Sequence, residues 1–272
     1  MRNNERRTGA GMQSPAGQPQ SLSFVVPTEF VELPSEGKLY PPDHPLHNQK
    51  TIEIKFMTAK EEDILSSEAL LKNNLVLDRL IESLMVDDIA ADTLLLGDRS
   101  AILMAARISG YGSEYKLTYR CPECFSNTDT SFDLKKHTLE KGGLDESVLQ
   151  ENNVVYCDDT LTFDVVLPVS GVEIGLRLLS GSSEKTFDSE NKKDGLVTGL
   201  LASIISKINK NTDPTYIKDF VDVMPARDSK YIRELYPKLV PSVKMKNRFV
   251  CSACYTEKDQ EVPLTAEFFW PE

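Results

Sequence analysis

Apolar and polar positions alternate in some stretches and fall at helical spacing in others, and the two periods divide the chain into short strands and amphipathic helices. Thr51 to Phe56 places Ile52, Ile54 and Phe56 on one strand face, and Thr58 with Glu61 three residues on reads as a capping box opening a helix from Ala59 to about Ser66. Leu77, Leu80, Ile81, Leu84 and Met85 form a second helical stripe. A third helix is expected over Asp98 to Ile108, with Ile102, Leu103, Met104 and Ala106 apolar and Gly110-Tyr111-Gly112 as its stop. Glu114 to Arg120 alternates and Asp129 to Leu134 returns, which predicts a hairpin. A second hairpin is expected from Leu161 to Leu167 and Val172 to Leu179, joined through Pro168-Val169-Ser170-Gly171.

Further along, Leu196, Val197, Leu200, Leu201, Ile204, Ile205 and Ile208 predict one half-buried helix. Thr215 to Val223 and Ser229 to Leu239 read as two more, the latter capped by Asp228-Ser229 and bounded by Pro237 and Pro241. Between these elements the pattern lapses. Residues 1–20 carry no periodic apolar face and are expected to be a disordered arm. Phe24 to Leu33 is extended, and Pro34, Pro41 and Pro42 exclude a helix after it. Lys135 to Asn153 is a polar linker or short helix, and Ser180 to Asp194 a charged loop or weak helix.

Four cysteines organise the rest. Cys121-Pro122-Glu123-Cys124 and Cys251-Ser252-Ala253-Cys254 each follow an alternating segment, as knuckles at hairpin tips do. Two such knuckles aim four thiolates at one metal, and Zn²⁺ with sulfur at about 2.3 Å is the usual occupant. Residues 125–250 lie between the pairs, far more than the ~15–20 of a compact ribbon, so a large insertion leaves one knuckle and returns to the other. Redox dithiols or disulfides are the other readings, but no βαβ pattern surrounds either pair. Cys157, in Val154-Val155-Tyr156-Cys157-Asp158, reads as a small core residue rather than a ligand.

The expected fold class is therefore α+β: a helical N-terminal part, a zinc-ribbon-like β-hairpin module with two CxxC knuckles, and a long mixed α/β insertion between them. The corresponding segments are a disordered arm at 1–20, extended segments and helices at 21–112, the ribbon-like module at 113–134 plus 245–272, and the inserted α+β segment at 135–244. Phe268-Phe269-Trp270 either packs beside the knuckle, the favoured reading, or lies on a partner as an aromatic anchor.

With 272 residues the chain can bury a core that does not depend on metal alone. Its net charge of −11 argues against general phosphate-backbone binding. No apolar run reaches the ~20 residues of a membrane span, and a cytosolic, reducing compartment is expected, where paired cysteines favour metal over disulfide. His44, His47 and His137 lie in polar, loop-like sequence, and no phosphate-binding glycine loop occurs. A closed Cys₄ site leaves no coordination position for chemistry, so no enzyme activity, catalytic residue or small-molecule substrate is expected. Arg99 and Arg107 are expected to pair with acidic neighbours.

Several stretches together resemble one family. Phe30 to Pro41 and Ile54 to Leu65 are similar to the N-terminal signature of the T4-type bacteriophage baseplate hub proteins. Gly97-Asp98-Arg99, Tyr111-Gly112 before the first CxxC, Met224 to Arg233, and the ending Val262 to Pro271 follow in similar order. The resemblance implies a hub subunit or hub-assembly protein of a contractile tail. Its partners would be other baseplate hub or tail assembly proteins, met in the host cytoplasm during assembly and, if retained, in the virion baseplate. Binding through Phe30 to Tyr40 or through Phe268-Phe269-Trp270 follows as an expectation. The alternative is a zinc-ribbon nucleic-acid-binding regulator. Against it, Glu123, Glu257, Asp259 and Glu261 offset Arg120, Lys244, Lys246 and Arg248 around the knuckles.

Overall fold

The computed structural model describes residues 25–72, 75–183, 195–261 and 266–269. The expectations for the arm at 1–20, for Phe24, for 184–194 and for Trp270 lie outside the described residues. What is described is a mixed α+β chain with two large cores and a third, small one at the knuckles.

The first core begins with β1 (Thr28–Glu32) antiparallel to β2 (Thr51–Lys55), with Val31 opposite Ile52. α1 (Ala59–Leu65) follows, and the Thr58–Glu61 capping box is present as expected. α2 (Glu68–Lys72) and α3 (Val76–Leu84) come next, α3 burying Leu80, Ile81 and Leu84 completely. α4 (Leu96–Tyr111) starts earlier and ends later than the pattern predicts, because Gly110 stays helical and the stop falls at Gly112, whose φ is +84°.

The first turn of α4 ties the N-terminal segment down. A Cβ on Gly97 would lie 1.9 Å from the carbonyl oxygen of Pro241, so only glycine permits that approach. Asp98, 0% exposed, accepts hydrogen bonds from Ser35 N–H at 3.0 Å, Ser35 Oγ at 2.6 Å and Tyr40 OH at 2.8 Å. Its place near the positive end of the helix dipole favours a carboxylate there, while burial pushes its pKa up. Arg99 makes the expected ion pair, with Asp78 at 2.5 Å.

Arg107 departs from expectation. Only 2% exposed, it donates to the backbone carbonyls of Phe268 (3.0 Å), Gly112 (2.9 Å) and Glu114 (3.5 Å) instead of to a carboxylate. Its guanidinium lies 5.3–6.0 Å from the ring centres of Tyr111, Tyr115 and Phe268, within cation–π range. The carbonyls come from the C-cap of α4, the start of the next strand and the C-terminal 3-10 turn, and a five-donor fork satisfies them together. Phe268 and Phe269 are buried in the first core, so the Phe-Phe pair packs within the chain and is not a partner anchor. Most of Phe30 to Tyr40 is likewise turned inward, since Val31, Leu33, Ser35, Leu39 and Tyr40 are all buried.

β3 (Glu114–Arg120) and β4 (Asn127–Asp133) form the expected first hairpin. The insertion then opens with β5 (Thr138–Glu140), continues through α5 (Glu146–Glu151), and builds an antiparallel sheet from β6 (Val155–Cys157), β7 (Thr162–Val166) and β8 (Glu173–Arg177). α6 (Leu196–Ile204) ends four residues before the apolar stripe does. Ile205–Ile208 is β9, paired with β8, so the single helix expected to Ile208 is corrected. Ile205 and Ile208 are buried in the strand, and β-branched residues beside an open strand edge favour the sheet.

α7 (Pro214–Val223) has Asp213 as its cap. α8 (Ala226–Leu239) begins at Ala226 rather than Ser229, and Pro237 lies inside it rather than bounding it. Asp228 is not the cap but sits buried in the first turn, accepting the Val169 and Ser170 N–H groups at 2.8 and 2.9 Å. Fixing that loop uses the carboxylate that a cap would have used. These helices close the second core over Phe163, Val165, Ile174 and Leu176.

Cys157 is half-buried and lies outside the core clusters, which corrects its reading as a core residue. Alternation turns its neighbour Tyr156 inward onto Phe163, ring centres 5.0 Å apart, and Cys157 to the other face beside Thr162. The insertion closes at its base: β10 (Ser242–Lys244) pairs antiparallel with β5, and Lys244 meets Glu140 at 2.5 Å. β11 (Lys246–Val250) and β12 (Glu257–Glu261) then form the second hairpin.

Candidate metal centre

Each hairpin turns through the same hydrogen bonds. Cys121 N–H donates to Ser126 O at 2.9 Å and Phe125 N–H to Cys121 O at 3.0 Å; in the second, Cys251 N–H donates to Thr256 O and Tyr255 N–H to Cys251 O, both at 3.0 Å. Phe125 and Tyr255 take the left-handed conformation that this tight turn requires, with φ of +59° and +58°. The turn brings the two sulfurs of each pair to the same side.

All four predicted ligands, Cys121, Cys124, Cys251 and Cys254, meet, their sulfurs lying within 4.8 Å of one another. Across the knuckles Cys121 and Cys254 are 3.6 Å apart, as are Cys124 and Cys251. Bonds of about 2.3 Å in a tetrahedron give an edge of about 3.8 Å, so the spacing fits one tetrahedral metal; disulfide sulfurs would lie at about 2.05 Å. Cys121 and Cys251 are buried and Cys124 and Cys254 exposed, and the five cysteines are free thiols. Phe249 underlies the pair, its ring edge-on to Tyr119 at 4.4 Å.

Hydrogen bonding readies some sulfurs for metal more than others. The Ser126 hydroxyl and then the Cys254 N–H bring the Cys251 thiol down to about 5. Ser126, through hydroxyl and N–H, also lowers Cys124. For Cys121 the N–H of Cys124 works in the same direction, but burial and thiol contacts with Cys254 and Cys124 carry it up to about 11. Thiolate is the form that binds metal, and donors aimed at sulfur favour it.

The hydroxyls of Ser126, Thr128 and Thr256 were not singled out by sequence reading. A signal existed: each knuckle continues Cys-aromatic-Ser/Thr, with Ser126 and Thr256 two residues after the second cysteine. Their hydroxyls lie 2.9 Å from Cys124 Sγ and 3.2 Å from Cys254 Sγ. The histidines are elsewhere. His44 stacks on Tyr40 at 4.3 Å, His47 contacts Tyr40 O at 2.8 Å, and His137 contacts Leu134 O at 2.8 Å.

Among the described residues, no helix is long and apolar enough to cross a membrane. Comparison with curated proteins and with solved structures gives no match. A family model described as T4 bacteriophage base plate protein matches residues 26–270. That match spans both large cores and both knuckles, and the chain belongs to the T4 bacteriophage base plate protein family.

Proposed function

We propose that this baseplate structural protein is a subunit or assembly factor of the central hub, that it acts through protein–protein contacts, and that Cys121, Cys124, Cys251 and Cys254 hold one structural Zn²⁺. The observation that carries the reading is the family match over residues 26–270, joined to a four-sulfur cluster of tetrahedral size. The order of stretches similar to hub proteins, from Phe30 to the C-terminal aromatic residues, supports the finer placement in the hub.

A Cys₄ metal supplies cross-linking rather than chemistry, since four thiolates leave no position for water or substrate. This chain's residues do the rest. The two tight turns aim the sulfurs, the Ser126 hydroxyl and nearby N–H groups favour the thiolate at Cys124 and Cys251, and Phe249 seals the inner side. The ribbon is rooted in the first core through Phe132 and Leu134, so a closed metal site would stiffen a projection from a rigid base. The nucleic-acid reading has less support. Arg248 is paired with Glu257, and Arg120 lies over the Phe125 ring at 5.4 Å and donates to its carbonyl.

Co-expression with the tail genes of the same phage tests the hub placement. The chain is expected to co-purify with a hub component, and particles lacking it should fail to complete the baseplate. Normal tails in its absence would end the proposal.

A further inference from the structure

The two knuckles are repeats of one turn, yet the hydroxyls that reach a sulfur across the gap both come from the first hairpin. Counting from each second cysteine, Ser126 corresponds to Thr256, but Thr128 corresponds to Lys258. From the first hairpin, Ser126 Oγ lies 3.4 Å from Cys251 Sγ, and Thr128 Oγ1 donates toward the same sulfur at 3.9 Å. The Thr128 hydroxyl also accepts the backbone N–H of Ser252 at 3.2 Å and lies 3.0 Å from Ser252 Oγ. A hydroxyl has one donor and two acceptor sites, and three groups of the second knuckle lie within reach of this one. Ala253 and Cys254 contribute N–H groups to Cys251 Sγ from its own side, at 3.4 and 3.5 Å. Cys251 is thus the sulfur on which both hairpins converge.

We propose that Ser126 and Thr128 are positioning residues for Cys251: they dock the second knuckle onto the first, so that metal retention depends on two hydroxyls that do not bind the metal. The inference rests on the reading of the four cysteines as a metal site. Its physical basis is that the β5–β10 pairing brings the two hairpin bases together but leaves the relative orientation of their tips to be fixed. Fixing two tips against each other costs conformational entropy, and a polar bridge that sets their orientation leaves less ordering to the metal. Groups that hold a ligand in place without touching the metal commonly change affinity by about 10–100-fold when removed. Ser126 and Thr128 are half-buried residues, and their contacts with Cys251 Sγ are partly shielded from water.

The test uses the full chain loaded with Zn²⁺ and a chromophoric chelator, following the rate and midpoint of metal release. Thr128→Val keeps the shape and removes the hydroxyl; Ser126→Ala removes the other. Each should release Zn²⁺ about 10-fold faster or more, while Thr128→Ser and Ser126→Thr stay near wild type. Thr118→Val is the control, because Thr118 bonds Asp129 on the same hairpin at 2.7 Å and touches no sulfur. Circular dichroism of each variant separates loss of the bridge from loss of the fold. A wild type that takes up one Zn²⁺ while both hydroxyl variants release it at the wild-type rate overturns the bridge and leaves the metal site standing. A wild type that takes up no Zn²⁺ overturns both.

Discussion

Phe125 and Tyr255 occupy the same place in the two knuckles, both left-handed, and both expose most of the side chain, 64% and 76%. A Cβ in that conformation costs roughly 1–2 kcal/mol, which glycine avoids at some expense in unfolded-chain entropy. Among the described residues, Phe125 alone has a compensating cation, the Arg120 guanidinium 5.4 Å from its ring centre. Tyr255→Gly should therefore stabilise the protein by about 0.5–1 kcal/mol, and Phe125→Gly by less. Thermal unfolding of the two variants checks the order. A Tyr255→Gly variant that melts well below wild type would show that the ring makes contacts the fold needs.

Metal removal should loosen the chain without unfolding it. Isolated zinc-finger peptides draw roughly 10–16 kcal/mol from the metal, but here two apolar cores stand apart from the four sulfurs. Cys251→Ser is expected to lose the metal and raise amide exchange in both hairpins, with the helices still protected. Cys157→Ser, on the far sheet, should bind metal as wild type does. Elemental analysis with hydrogen exchange reads both outcomes, and global loss of protection in Cys251→Ser would count against the idea.

Two close approaches give sharper stability predictions. Gly97→Ala places a methyl against the Pro241 carbonyl and must move backbone, at a cost of about 1–3 kcal/mol or more. Arg107→Met leaves the Phe268 carbonyl without its donor in a buried site, at about 1–3 kcal/mol, while the carbonyl of exposed Gly112 can turn to water. Urea unfolding measures each change. If Arg107→Met unfolds at the wild-type midpoint, the guanidinium is not what holds the C-terminal phenylalanines in place.

The capping box at Thr58, the α3 stripe and both knuckles were legible because each is a local pattern, complete within a few residues. Four cysteines in two pairs pointed to one site before any contact was known. The end of α6 was not legible, since Ile204, Ile205 and Ile208 suit a helix face and a strand equally and the β8 edge decided between them. Asp228 misled for a related reason. Asp-Ser before a helical stripe looks like a cap, and only the distant Val169–Ser170 loop shows what the carboxylate is for. The cross-knuckle hydroxyls escaped notice because nothing local distinguishes Thr128 from any strand threonine.

Acid should weaken one link between the two large cores. Lys141 at 2.5 Å, followed by Lys38 at 2.7 Å, holds the Glu36 carboxyl down at about 2. With its folded pKa below the unfolded value of 4.5, Glu36 contributes stability above that pH and loses it as pH falls toward 2. The pair is partly exposed, so the contribution is under about 1 kcal/mol after screening. Wild type should exceed Glu36→Gln in stability at pH 6, and the gap should narrow between pH 4.5 and 2. A gap that does not change with pH would mean that Glu36 acts through shape alone.

Phe268 and Phe269 fill a core whose other members lie between Val31 and Leu134. A ribosome reading the message in order finishes that set, the first knuckle included, then makes the second core from Val154 to Leu239 and the second knuckle before it supplies the missing rings. At roughly 5–20 residues per second the gap lasts on the order of ten seconds. During that time the first core has an open apolar slot beside Arg107 while the inserted sheet, already complete in sequence, can settle. Closure of the first core is thus reserved for chains translated past residue 269, and a truncated product would present that slot to the cell's proteases.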